Sequence, residues 1–209
     1  MELQDQIAGI VHDVKNHLQL LGPSIELLCT NESRETQAAG DQINTTLAEV
    51  NHQLVLLLGL YRLEESSLFS TEEIYLVDIL DTVCGRIQNG NIHIECNADL
   101  TVFCDARLVT AVIGDALHNA SRYCQEQVNV TAVPFDGGVL LRVDDDGAGL
   151  SDTRSSHCSS QHPSKESTGL GMLLAAKVAQ AHRNGEKKGY VSLVESPELG
   201  GGRFELYLP

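Results

Sequence analysis

In the stretch DALHNASRY, Asp115 and Asn119 stand four residues apart, with Arg122 and Tyr123 following. On a helix these side chains share a face and the turn after it. An amide oxygen beside a carboxylate suits a hydrated magnesium ion, which prefers hard oxygen ligands and keeps its waters. Further on, VDDDGAGL ends an apolar run with Asp145, Gly147 and Gly149. Glycines in that place let the backbone approach a flat ligand or turn with positive φ, and Asp145 could accept a hydrogen bond from an exocyclic amine. In STGLGM, Gly169 and Gly171 lie just before a helical pattern, whose free N–H groups and dipole favour phosphate. Near the start, IAGIVHDVKNHLQLL sets His12, Asp13, Lys15 and Asn16 beside an apolar seam. Taken singly, these patterns fit a solvated helix face, a strand-end turn, an ordinary helix entry and an exposed histidine. Their conjunction, in one order and closed by GGGRF, is what chance rarely supplies.

The elements that must position these groups fall into two parts. Ile7, Val11, Val14, Leu18, Leu21, Ile25 and Leu28 alternate by four and three, the seam of a bundled helix over residues 2 to 29. Such a helix is about 42 Å long at about 1.5 Å per residue, with a kink expected at Gly22 and Pro23. After a loop at 30 to 36, Ile43, Leu47, Val50, Leu54, Leu57 and Tyr61 repeat the seam. Two such helices fold back as an antiparallel hairpin with a single apolar stripe on each. Pairing two hairpins into a four-helix bundle buries those stripes, so a homodimer is expected.

The heptad pattern stops around ESSLFSTEE, and an α+β pattern follows. The domains are therefore expected at 1–66 and 73–209, joined by a linker at 67–72. In the second part the spacing predicts a helix in IYLVDILDTVCGRI, strands in NIHIEC and LTVFC, and a helix over 105–124 capped by Asp105. A hairpin over 128–146 turned by FDGG comes next. The serine-rich, aperiodic stretch at 151–168 has the length of a functional lid. A helix over 170–182 and two strands complete the pattern.

The 209 residues carry a net charge of -15, which repels a nucleic-acid backbone or an anionic membrane at long range. Cysteines at 29, 84, 96, 104, 124 and 158 form no CxxC pair and no metal spacing, as in reduced cytosolic proteins. The longest apolar run, LVLLLGLY, is too short to span a bilayer, and the first ten residues are acidic where a signal peptide is basic. A cytoplasmic chain without membrane insertion is expected.

The order of Asn119 on a helix, strand-DxGxG, polar loop, GxG-helix and terminal strand resembles the ATP-binding domain of the sensor histidine kinases, shared more distantly with gyrase and the Hsp90 chaperones. The resemblance covers nearly all of 73 to 209. It implies an α/β sandwich, a mixed sheet with helices on one face, that binds ATP and Mg²⁺. By the resemblance Asn119 holds the magnesium, Asp145 binds the adenine amine, and Gly147 and Gly149 hinge the lid. Gly169 and Gly171 cradle the phosphates, with Thr168 beside them in the nucleotide site. Asp115 stands where the family has an asparagine or an acid, and Arg122 and Tyr123 fill positions that often contact the nucleotide. HDVKN resembles the phosphoacceptor box, which makes His12 the residue that receives the γ-phosphoryl group and Asp13 its orienting acid. Asn16, one turn on, is at the offset that helps a phosphatase position water. The implied partner is a response regulator receiver domain; no input domain is visible in the chain, so either a separate sensor protein acts on the hairpin or the sequence is a fragment of something longer.

Three departures bear on this likeness. No phenylalanine occurs in residues 151–168, no hydroxyl residue stands just before Phe204, and RNGEKKGY lengthens a surface turn. Looser or water-mediated adenine recognition is expected from the second. Two other classes therefore stay open: a histidine phosphotransferase with a non-catalytic kinase-like domain, and a dimeric scaffold holding nucleotide as a structural ligand.

Overall fold

The computed structural model describes residues 34–65, 68–85, 91–149 and 170–209, together with Leu18, Gln19, Gly22 and Ile25. The chain divides into two compact units, Met1–Glu64 and Glu65–Pro209. In the first, helix α1 spans Arg34–Glu64. It begins inside the stretch where the sequence predicts a loop, because Arg34, Glu35, Gln37, Ala38 and Ala39 are good helix formers and no proline interrupts the helix. Leu56 is buried on this helix, while Ile43 and Leu57 are exposed. Leu18, Gln19 and Gly22 line a cleft with Asn44, Leu47, Ala48 and Asn51. The rest of the expected first helix lies outside the described residues.

The second unit opens with strand β1 (Glu72–Tyr75) and helix α2 (Leu76–Cys84). The sequence reads as helix from Ile74, but Ile74 and Tyr75 pair with Val102 and Thr101 of β3 (Thr101–Cys104) instead. The antiparallel partner overrides local propensity. Strand β2 (Asn91–Cys96) precedes β3, and helix α3 (Ala106–Tyr123) follows it. Asp105 caps α3 as its sequence predicts, accepting from the N–H groups of Arg107 at 3.1 Å and Leu108 at 3.2 Å. One face of α3, through Leu108, Val109, Val112, Ile113, Ala116, Leu117 and Ala120, is buried.

Strands β4 (Gln127–Phe135) and β5 (Gly138–Asp145) form the expected hairpin. Its turn needs positive φ at both Asp136 and Gly137, and both have it. Helix α4 (Leu170–Ala181) leads to a two-residue hairpin, β6 (Arg183–Asn184) and β7 (Lys187–Lys188), where the sequence suggests only a longer loop. Lys187 ties that hairpin to Asp136 with an ion pair of 2.8 Å. Strands β8 (Tyr190–Glu195) and β9 (Gly202–Leu208) complete a five-stranded sheet in the order β2-β4-β5-β9-β8. All its pairings are antiparallel except β2 with β4, so the sheet is mixed.

Alternation sorts the strand residues into two faces. Val128, Val130, Ala132, Leu141, Val143, Phe204 and Leu206 point one way and are buried, along with Leu174 and Val178 of α4. Each fully buried aliphatic side chain contributes about 1.5–3 kcal/mol of transfer energy. The opposite face carries paired polar groups, among them Arg142 with Glu205 at 2.9 Å. This α+β unit has the mixed sheet and packed helices that the sequence leads one to expect.

Candidate functional site

Helix α3 presents Asp115 half-buried and Asn119 exposed one turn later. At its end the Arg122 guanidinium lies 6.0 Å from the centre of the Tyr123 ring. Strand β5 brings Asp145 up to this helix end from the other side. Asp145 Oδ1 accepts from Gly147 N at 2.9 Å and from Gly202 N at 3.1 Å. Its other oxygen has no hydrogen-bond partner among the described residues, which leaves an acceptor for a ligand's amine.

Glycines make this convergence possible. A β-carbon at Gly147 would overlap Tyr123 O and come within 2.8 Å of Asp145 Oδ1. One at Gly201 would overlap the Asp145 carbonyl, and one at Gly202 would meet Asp145 Oδ2 at 3.0 Å. Gly149 has φ of +74, and its β-carbon would stand 3.2 Å from Gly200 O. At the start of α4, a β-carbon at Gly171 would overlap the Asp115 carboxylate. Asp115 thus joins the first turn of α4 to the helix carrying Asn119.

Two groups absent from the sequence reading hold the turn in place. Asp144, 1 % exposed, accepts from Ser196 Oγ at 2.6 Å and from Arg203 Nε at 2.6 Å. Arg203 also reaches Glu198 at 3.3 Å. Ser196 in turn accepts from Leu199 N at 3.2 Å, so this buried network fixes the loop that delivers Gly201 and Gly202 to Asp145. The second is Asp146, whose carboxylate accepts from three successive backbone N–H groups just after α3. Burial pushes the Asp146 carboxyl up, but those N–H groups outweigh it and hold its pKa below the ordinary 3.8. The signal for both was the run of three acids: alternation aims consecutive side chains at opposite faces, so each must find its own donors.

Of the residues singled out from the sequence, Asp115, Asn119, Arg122, Tyr123, Asp145, Gly147, Gly149 and Gly171 lie on these three converging elements. His12, Asp13, Asn16, Thr168 and Gly169 lie outside the described residues, as does the expected lid. Where the sequence lacks a hydroxyl before Phe204, the Gly202 backbone N–H bonds Asp145 directly. Among the described residues no cluster of three His, Cys, Asp or Glu could hold a metal ion. An octahedral, water-rich magnesium site needs only one or two protein oxygens, which Asn119 and Asp115 can furnish.

Residues 104–209 match the model of the histidine kinase-, DNA gyrase B- and HSP90-like ATPases. Sensor protein BasS of Escherichia coli is 27% identical over 110 residues, covering 50% of this chain and 30% of that protein. Virulence sensor histidine kinase PhoQ of Salmonella typhimurium is 21% identical over 212 residues, covering 96% of this chain and 42% of that one. The chain spans about a third to a half of the length of the curated relatives it matches. Among solved structures, Acinetobacter baumannii histidine kinase AdeS shares the fold at a TM-score of 0.56 and 16% identity, over 92% of this chain and 93% of that one.

Proposed function

Because the chain belongs to the histidine kinase-, DNA gyrase B- and HSP90-like ATPase family, we propose that it is the core of a sensor histidine kinase that phosphorylates itself on His12 and passes the phosphoryl group to an aspartate of a response regulator. The observation that carries the reading is the meeting of three elements: the Asp115–Asn119 face of α3, the turn at Asp145 and Gly147, and the start of α4.

In this reading Asp145 Oδ2 takes the adenine amine, and Arg122 and Tyr123 border the nucleotide. Thr168, Gly169 and Gly171 present backbone donors to the phosphates at the entry of α4. Bound Mg²⁺, held through the Asn119 amide oxygen beside Asp115, supplies positive charge against the phosphate oxygens. A neutral ring nitrogen of His12 attacks the γ-phosphorus, the bond to the β,γ-bridging oxygen breaks, and ADP departs. The ring proton passes to Asp13. Asn16, one turn from His12, would position the water that removes phosphate from the regulator's aspartate.

The rest of the proposal concerns assembly. Ile43 and Leu57 are exposed two heptads apart on α1, which supports a helical hairpin pairing into a four-helix homodimer. No helix among the described residues is long and apolar enough to cross a membrane. The proposed site of action is the cytoplasm.

The test is incubation of the full chain with γ-labelled ATP and Mg²⁺, comparing wild type with His12→Ala and Asn119→Ala. We expect label on wild type alone, lost in acid and stable in alkali as phosphohistidine is. Unlabelled wild type that remains folded and dimeric would move the assignment to a phosphotransferase or a scaffold.

A further inference from the structure

A carboxylate at the C-terminal end of a helix ordinarily faces partial negative charge from the last carbonyls. Asp146 sits at that end of α3, beyond the Cys124 cap, and is nevertheless well satisfied. Its Oδ1 accepts from Gln125 N at 2.7 Å and from Glu126 N at 3.2 Å. Its Oδ2 accepts from Glu126 N at 3.0 Å and from Gln127 N at 3.2 Å. Three successive N–H groups pointing into one hollow make an anion nest. Here the chain fills its own nest with a side chain from 19 to 21 residues away.

The place of this clamp matters more than its strength. Asp146 lies between Asp145, which carries the free acceptor, and Gly147, where a β-carbon would overlap Tyr123 O. The segment it grips carries the chain from the end of α3 into the start of β4. Asp145 Oδ1 depends on Gly147 N for one of its two hydrogen bonds. Rotation of the 145–147 turn would therefore re-aim Asp145 Oδ2, and the Asp146 clamp opposes that rotation from the α3 side.

We infer that Asp146 is a positioning residue of the nucleotide site: by filling the Gln125–Gln127 nest it locks the turn that aims Asp145 at the exocyclic amine, and so sets preference for adenine over guanine nucleotides. The inference rests on the nucleotide reading above. Guanine carries an oxygen where adenine carries the amine, so a fixed carboxylate repels it. A loosened carboxylate discriminates less, because each wrong contact can be relieved by rotation.

Binding of ATP and of GTP, each with Mg²⁺, is measured by titration calorimetry on the full chain and on Asp146→Ala and Asp146→Asn, alongside thermal unfolding of each. For Asp146→Ala we expect ATP affinity to fall about tenfold, the order of one charge-assisted hydrogen bond, and GTP affinity to fall much less. Asp146→Asn, which keeps one acceptor oxygen, falls between. In the labelling assay the loss appears in KM for ATP, with the rate at saturating ATP retained. Unchanged ATP affinity in both variants, or equal proportional losses for ATP and GTP, overturns the inference while wild-type binding leaves the nucleotide reading standing. Absence of ATP binding by wild type overturns that reading, and the inference with it.

Discussion

Asp144, Asp145 and Asp146 are identical in type and consecutive in sequence, yet each meets a different set of donors. Asp145 meets two backbone N–H groups and keeps one oxygen open. Asp144 is buried against a guanidinium and a hydroxyl. Burial works against the Arg203 charge, but the Asp144 hydrogen bond and charge outweigh it, so its pKa is raised. Removing one partner of a buried pair strands the other. Arg203→Met is expected to lower stability by about 3 kcal/mol in urea unfolding, with a second change, Asp144→Leu, recovering part of it. Equal stability of Arg203→Met and wild type would show the pair to be dispensable. Asp145 and the glycines beside it were legible in the sequence because DxGxG is a local pattern. The roles of its neighbours were not, because the partners of Asp144 lie 52 and 59 residues away, and no local window contains them.

Helices α3 and α4 were legible from their periodicity and, for α3, from the Asp105 cap. Strand β1 was not: its reason for being extended is β3, a partner some 26 to 32 residues later. The joint among these elements is equally non-local. His182, at the end of α4 and 3 % exposed, donates from Nδ1 to Val178 O at 2.7 Å and accepts from Asp105 N at 3.0 Å through Nε2. Phe69 packs edge-on against its ring at 5.3 Å, and Ser70 N donates to Asp105 Oδ2 at 3.1 Å. This arrangement requires the neutral ring, since a proton on Nε2 would face the Asp105 N–H. Burial pushes the His182 pKa below 6.5, against the opposing pull of Val178 O and Asp105. A depressed histidine contributes stability that is complete above 6.5 and is lost as the pH falls toward the folded-state value. Melting temperature should therefore drop more steeply on acidification below 6.5 in wild type than in His182→Gln, which keeps an acceptor without the titration. Parallel curves would place the acid sensitivity elsewhere.

In the whole molecule, the apolar stripe of α1 is where the proposed dimer is tested. With Ile43 and Leu57 exposed on the single chain, the pair Ile43→Glu and Leu57→Glu is expected to convert a dimer into monomers in sedimentation equilibrium, leaving nucleotide binding by the second unit intact. Wild type that sediments as a monomer would refute the bundle. The heptad spacing made this stripe legible, but spacing cannot say which copy of the chain covers it. The strand order holds one more consequence. Strand β9 follows every other strand in the chain yet lies inside the sheet, between β5 and β8, and it carries both Gly202 and Arg203. As a nascent polypeptide leaves the ribosome, β5 has an open edge and β8 has no neighbour until β9 arrives. Translation halted before that strand would yield a product whose Asp144 lacks its Arg203 partner and whose Asp145 is held by Gly147 alone, a species for chaperones and proteases to handle.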